Sequence, residues 1–418
     1  MIEIISHTIS QMKSQIIQQY DAPHQFEPLL PQDRLMGALL EKASDLIREA
    51  ASLGASAAPG AAVQLRELLR SMNSYYTNRI EGEHTRPSDI ERALLRDFSK
   101  ESDVARRQRL AVSHIQTEIA CERLIQAKLD AGETVVPWLY STQALEWLHL
   151  QLFGELTAED LTLADRSLLT PGQVRTRGVA VGIHEAPTPT ALPAFLGRWE
   201  EVYGRSRRGE ASVVALAAAH HRLAWVHPFL DGNGRVARLH THLALHAQGL
   251  TNGLWSPLRG FARTGEKYRG MLRAADEHRH GDLDGRGNLT EAGLIDWINY
   301  TLDTCIDQVR FMSKLLDVGS MRERIHAALI FEESKKTGLR KEAVLPLHYL
   351  FSTNSELGRA AFKQMTGLGE RVATDLISSL LKKGYLATDS AYGALRFAIP
   401  RAALRFYFPD LWPEAEAD

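Results

Sequence analysis

His227-Pro228-Phe229-Leu230-Asp231-Gly232-Asn233-Gly234-Arg235-Val236-Ala237-Arg238 is the stretch on which the reading of this chain turns. Asp231-Gly232-Asn233-Gly234 is dense in residues that tolerate positive φ. Glycines at 232 and 234 let backbone N–H groups converge on a concave, anion-binding surface. A helix opening near Gly234 places Arg235 and Arg238 on neighbouring positions of its first turns. Its N-terminal end then faces a phosphate, because the dipole and the free N–H groups both favour negative charge. Asp231 is a carboxylate at the mouth of the turn and suits a magnesium ion that bridges phosphates. His227 precedes it by four residues and is the natural general base. A Gly-Asn-Gly turn or a His-Pro helix exit alone is ordinary structure. Base, acid, two glycines, Asn and two arginines within twelve residues describe a site.

Working outward, Val213 to Trp225 is almost wholly apolar and reads as a central buried helix that delivers His227 at its end, with Pro228 stopping it. Helix 234–248 follows. The stretch Trp255 to Arg263 reads as a loop, and Tyr268 begins the next helix. Asp282 to Asn288 has the look of a calcium loop, but its twelfth position is Gly293 where a bidentate Glu is needed, so it is read as a turn. Ile295 to Val309 closes the helical region.

The string His227–Arg238 resembles the signature of Fic proteins, H-P-F-x-[D/E]-G-N-G-R-x-x-R, at every fixed position. Ala217 to Val226 and Tyr268 to Trp297 are similar to the segments that flank it in that family. Fic enzymes move a nucleoside monophosphate, usually AMP from ATP, onto a protein hydroxyl. The resemblance implies His227 as catalytic base, Asp231 as ligand of Mg²⁺, and Gly232, Asn233, Gly234, Arg235 and Arg238 as the cradle for ATP phosphates. It also implies that Tyr268 contacts the adenine, against the plain alternative of a core tyrosine. Asn73 to Gly82 carries Thr77 and Glu81 four apart on one helix face, with Gly82 a natural C-cap. Many Fic proteins have an inhibitory helix reading [S/T]-x-x-x-E-[G/N], which Thr77, Glu81 and Gly82 match. By resemblance, Glu81 pairs with Arg238 and occupies the place of the γ-phosphate.

Leu169 to His184, with Pro171-Gly172 and β-branched residues, suggests a hairpin. It resembles the family's flap, which holds the target protein by strand addition, and places protein-substrate docking near 172–184. From about 319 the character changes. Residues 359–367 and 371–383 read as two helices about Gly367-Leu368-Gly369, followed by two strands about a turn at 390–393. Such a winged helix, which many Fic proteins carry, suits DNA through 359–400, with Arg371 and Thr374 near the start of a recognition helix. Glu370 and Asp375 weaken that, and protein interaction or a homodimer is an equal alternative.

The expected fold is therefore mainly α: a Fic helical domain with a small β-hairpin flap, an N-terminal helical extension and an α+β winged helix. The expected divisions are 1–110, including the inhibitory helix at about 71–82, then 111–312 and 319–418. In the extension, Leu35, Leu39, Leu40, Ala43, Leu46 and Ile47 recur at helical spacing after Pro31, and 54–60 reads as a loop. Val63, Leu65, Leu68, Leu69 and Met72 share the face of a second helix. Ser88 and Glu91 suggest a capping box on a third. The activity expected is that of a protein adenylyltransferase restrained by Glu81. Removal of AMP at the same site, or DNA-binding regulation, are the alternatives.

Composition is consistent with this and excludes other classes. The chain has 418 residues, 44% hydrophobic and 24% charged, with a net charge of −2. No global field recruits nucleic acid or an anionic membrane. Cys121 and Cys305 are isolated, which points away from a disulfide framework and toward a reducing compartment. No apolar run approaches the roughly 20 residues of a membrane helix, and the N-terminus lacks a leader pattern, so a cytoplasmic location is expected. No G-x-x-x-x-G-K-[ST] occurs, which excludes a P-loop enzyme.

Overall fold

The computed structural model describes residues 19–56, 59–182, 184–353, 355–409 and 411. Ile183, within the expected flap, lies outside them. The first helices are α1 (Asp33–Ser56), α2 (Pro59–Ile80), α3 (Pro87–Leu94) and α4 (Ser102–Asp130). Then come α5 (Val135–Leu139), α6 (Thr142–Phe153), strands β1 (Ala180–Val181) and β2 (His184–Glu185), α7 (Leu192–Tyr203), α8 (Glu210–Val226) and α9 (Asn233–Ala247). The chain continues through α10 (Leu258–Arg263), α11 (Gly265–Asp276), α12 (Glu291–Leu315), α13 (Val318–Ser334), α14 (Val344–Thr353), α15 (Arg359–Thr366) and α16 (Glu370–Lys382). It ends with β3 (Leu386–Ala387), β4 (Arg396–Phe397) and α17 (Leu404–Tyr407). The fold is mainly helical, with two antiparallel two-stranded hairpins among the described residues.

The chain divides into two compact units, one of residues 1–41, 125–244 and 266–300, the other of 42–124, 245–265 and 301–418. The first is built around α8. Its Val214, Ala217, Ala218, Ala219 and Val226 are fully buried, as the apolar run demanded. Two tryptophans close on it from outside. Trp199 Nε1 donates to the Ala219 carbonyl at 3.1 Å and Trp297 Nε1 to that of Ala217 at 2.7 Å. Each ring thus contributes buried apolar area while its one polar atom is satisfied. Arg222, wholly buried, spends its donors on the Pro28 carbonyl at 3.0 and 2.7 Å, on His221 Nδ1 at 2.6 Å and on the Ala275 carbonyl at 3.4 Å. This sews the segment around Pro28 to the central helix. Burial lowers the Arg222 guanidinium to about 10.

The second unit contains α2 and α3. Leu65, Leu69 and Met72 are buried along α2, on the face the spacing predicts. Asn73 donates to both carboxylate oxygens of Glu118 at 3.0 and 3.2 Å, and Ser74 Oγ to the Ala111 carbonyl at 2.8 Å. Tyr76, fully buried, donates to the Leu411 carbonyl at 3.0 Å. Arg259 stacks on Phe311 at 3.6 Å.

Three local readings are corrected. Of the expected loop 54–60, residues 54–56 and 59–60 are helical, since α1 runs to Ser56 and α2 opens at Pro59. Pro87, preformed for a first helical position, starts α3, and no side chain caps it, so Ser88 is not the N-cap. Residues 258–263 are helix, not loop, because Leu258 and Phe261, three apart, are both fully buried. The short flap hairpin expected is present, with a ladder of two residues on each side, Ala180 against Glu185 and Val181 against His184.

Candidate functional site

His227 caps the C-terminus of α8. Its N–H bonds the Leu223 carbonyl at 3.1 Å, and its backbone is left-handed at φ 51°, ψ 63°. The αR region is disfavoured before Pro228, so the helix turns off here, and the left-handed residue swings the chain into the following loop. The imidazole is half-buried. Its Nδ1 lies 3.3 Å from the Ala224 carbonyl, which takes the Nδ1 proton and leaves Nε2 as the acceptor. Burial is the main cause lowering its pKa to about 4, and the charges of His184 and Arg175 push the same way. At neutral pH the ring is therefore uncharged and ready to receive a proton.

The loop that follows is locked from within. Asn233 Oδ1 accepts the Phe229 N–H at 2.8 Å, and Asn233 Nδ2 donates to the Phe229 carbonyl at 2.8 Å. One amide side chain thus clamps both backbone groups of a residue four positions away, and the Phe229 ring is fully buried. Gly232 stands at φ 79°, and a Cβ there would meet the Phe153 ring at 2.4 Å. Both the backbone and the space demand glycine. α9 opens at Asn233, and Arg235 and Arg238 sit on its first turns, 5% and 1% exposed. Asp231 is exposed, and its Oδ1 takes the Gly232 N–H at 2.7 Å.

Residues not singled out in the sequence hold this loop from outside. Arg175 lies within the stretch Leu169 to His184 read as the flap. It is 3% exposed, and its guanidinium donates to the carbonyls of His227 at 2.8 Å, Pro187 at 2.6 Å and Val226 at 3.4 Å. Its own N–H bonds the Pro228 carbonyl at 2.9 Å. A cation thus satisfies the orphan carbonyls at the end of α8 and complements its dipole. Burial lowers the Arg175 guanidinium to about 10. His184 of β2 reaches the Trp225 carbonyl at 2.8 Å, which fastens the hairpin to the same helix end. His149 of α6 stacks on Phe229 and Phe153 with ring centres 4.1 and 4.7 Å away. It accepts the Gly172 N–H at Nδ1 (2.8 Å) and donates from Nε2 to the Asp231 carbonyl (3.2 Å). That pattern needs a neutral ring, and burial lowers its pKa to about 4. The only sequence signal was a buried-face histidine among leucines and a flap arginine without an acidic neighbour.

Behind the motif, Thr241 Oγ1 donates to the Ala237 carbonyl at 2.9 Å, so it accepts the Nδ1 proton of His220 at 2.6 Å. His220 Nε2 then accepts from the Tyr268 hydroxyl at 3.0 Å. Tyr268 is 3% exposed and packs edge-on against Trp297. The structure places it in the core that backs α8 and α9. In the second unit, α2 ends at Ile80. Gly82 at φ 80° takes the turn, and the Glu83 N–H returns to the Asn78 carbonyl at 2.9 Å. This is a glycine-terminated helix end, with Thr77 fully buried and Glu81 exposed.

Residues 139–245 match the Fic/DOC family. Over 130 residues the chain is 31% identical to the protein adenylyltransferase Fic of Drosophila willistoni, covering 29% of this chain and 25% of that one. The Drosophila grimshawi protein of the same name is 35% identical over 92 residues, 20% of this chain and 19% of that one. The chain thus spans about a quarter of the length of the curated relatives it matches. In fold it resembles the crystal structure of a Fic family protein from Desulfovibrio desulfuricans G20, with a TM-score of 0.50 and 15% identity over 89% of this chain and 98% of that one. Residues 139–245 are thus similar to a Fic/DOC domain, and the mainly helical architecture with small two-stranded hairpins is that of the Fic protein it resembles in fold.

Proposed function

We propose that this protein transfers AMP from ATP to a Ser, Thr or Tyr hydroxyl of a target protein. The observation that carries the reading is His227, a neutral imidazole whose Nδ1 side is committed to Ala224. It stands at the head of a loop that Asn233 clamps into the N-terminus of α9. Nε2 takes the proton of the attacking hydroxyl. The oxygen bonds the α-phosphorus, the bond to the β-phosphate oxygen breaks, and pyrophosphate leaves. The first turn of α9 with Gly232, Asn233 and Gly234 holds the phosphates, and Arg235 and Arg238 neutralise their charge. Catalysis is positioning plus electrostatic stabilisation. Asp231 fits Mg²⁺, because one carboxylate oxygen is held by Gly232 and the exposed side chain leaves the other to a hard cation. When bound, the ion supplies further charge neutralisation on the phosphates.

Glu81, presented at the glycine-terminated end of α2 four residues after Thr77, restrains the enzyme by pairing with Arg238 where the γ-phosphate belongs. A bidentate Arg–carboxylate pair shielded from water is strong enough for that role. The target's backbone adds to the exposed hairpin of β1 and β2, where Val181 is 48% exposed. Helices α15 and α16 with the β3–β4 hairpin form the winged-helix module of residues 319–418, which contacts protein or DNA. The catalytic module spans 111–312 and the restraining extension 1–110.

Incubation with Mg²⁺ and ATP labelled at the α-phosphate, alone and with cell extract, tests this. Strong protein labelling is expected for Glu81→Gly, weak labelling for wild type and none for Glu81→Gly combined with His227→Ala. Labelling that survives His227→Ala would sink the proposal. Release of AMP from a pre-labelled target by wild type, with no labelling by any form, replaces it with the reverse reaction.

A further inference from the structure

Two glycine turns of the first unit are built against one helix, α6. Gly172, at the start of the flap segment, stands at φ 80°, and a Cβ there would meet Leu150 Cβ at 3.1 Å and the Glu146 carbonyl oxygen at 3.2 Å, both on α6. Gly232, in the motif loop, stands at φ 79° against the Phe153 ring of the same helix. His149 of α6 is fully buried and bonds to both turns. Its two nitrogens have opposite, fixed roles. The Gly172 N–H only donates, so Nδ1 accepts it at 2.8 Å, and the Asp231 carbonyl only accepts, so Nε2 carries the proton and reaches it at 3.2 Å. The Asp231 carbonyl belongs to the same rigid peptide plane as the Gly232 N–H. That N–H in turn holds the Asp231 carboxylate at 2.7 Å. One nitrogen therefore sets the plane that aims this carboxylate, while the other sets the turn from which the hairpin departs.

We infer that His149 is a positioning residue: its single tautomer fixes the Gly172 turn and the Asp231–Gly232 peptide to each other, so that the segment that docks the target and the carboxylate that suits Mg²⁺ share one geometry. The functional consequence rests on the transfer reaction proposed above, whereas the bridge stands on the two hydrogen bonds.

Asparagine and glutamine divide the two roles, because the Asn side-chain oxygen falls near Nδ1 and the Gln side-chain nitrogen near Nε2. Both lose the stacking on Phe229 and Phe153, so a purely structural role would move every readout alike in both. Binding of Mn²⁺ with ATP is followed by the EPR signal of free Mn²⁺ in Glu81→Gly combined with His227→Ala, where no transfer occurs. Relative to that parent, His149→Gln is expected to bind equally and His149→Asn about fivefold more weakly. Exchange of the Gly172 amide, followed by NMR, is expected to be slow in the parent and in His149→Asn, and about tenfold faster in His149→Gln. Equal changes in both variants, or none in either, overturn the assignment. The parent alone also decides: a Gly172 amide exchanging as fast as an open peptide, or a proton on Nδ1 in the ¹⁵N spectrum of His149, overturns the bridge. Labelling from α-labelled ATP is then measured in Glu81→Gly, where each His149 variant is expected to lower it about fivefold. Full labelling by both overturns the positioning role. If Glu81→Gly labels nothing and its His227→Ala form binds no Mn²⁺ with ATP, the transferase reading falls, while amide exchange and the tautomer still decide the bridge.

Discussion

Gly232 shows how little tolerance the loop has. Its φ of 79° is unfavourable for any side chain, and the Phe153 ring occupies the place a Cβ would take. Gly232→Ala should therefore destabilise the protein by about 1–3 kcal/mol and displace the Asp231 carboxylate. The measurement is a denaturant melt beside the labelling assay in the Glu81→Gly background, with labelling expected to fall by about 100-fold. Unchanged labelling would mean that the turn is a spacer and not a cradle. Gly232 was legible in the sequence because its chemistry is local, a turn that needs positive φ, whereas Asn233 was read as part of the phosphate cradle and its clamp on Phe229 came only with the fold. Arg175 and His149 were not legible. They act on carbonyls that lie 52 and 82 residues away along the chain, and nothing in a linear pattern records a bond to a backbone atom.

At the scale of elements, α8 and the end of α2 were readable for opposite reasons. α8 is apolar on every side, so burial follows whatever its neighbours are. The end of α2 was readable because only glycine takes the left-handed position cheaply, and Gly82 does so with open space around its Cβ position. Gly82→Ala meets no clash, so its cost is the backbone alone, about 1 kcal/mol in the last turn of α2. If Glu81 restrains the site from that turn, Gly82→Ala should raise wild-type labelling severalfold without any change in His227 or its loop. The same assay with Glu81→Gly added should show no further rise. α10, six residues long, is too short for periodicity and was read as loop; its existence depends on what buries Leu258 and Phe261, while the small β1–β2 hairpin expected from its turn residues is held where His184 meets the Trp225 carbonyl. Among the described residues no helix is long and apolar enough to cross a membrane.

For the molecule as a whole, buried imidazoles set the response to acid. Burial is the first cause lowering His149, His227 and His240 to about 4, and it lowers His220 and His221 as well. Their unfolded value is about 6.5. Between those limits the unfolded chain binds more protons than the folded one, so stability is complete above about pH 6.5 and is lost as pH falls toward 4. The melting temperature should drop by roughly 4 °C or more from pH 7 to pH 5, and Glu81→Gly should follow the same curve. A flat profile would mean that these rings are solvated or already charged. Because His227 is held neutral, labelling by Glu81→Gly should persist below pH 6 for as long as the fold survives.

The sequence alone determined the motif loop, the apolar central helix, the glycine-terminated end of α2 and the mainly helical class. Each follows from interactions within a few residues or from a periodicity that one element carries by itself. Only the tertiary structure decided that Arg175 and His184 fasten the end of α8, that His149 bridges Gly172 to Asp231, and that Tyr268 turns inward to His220. Those arrangements depend on burial and on backbone carbonyls brought together by folding, and packing selects them among many partners that the same composition would allow.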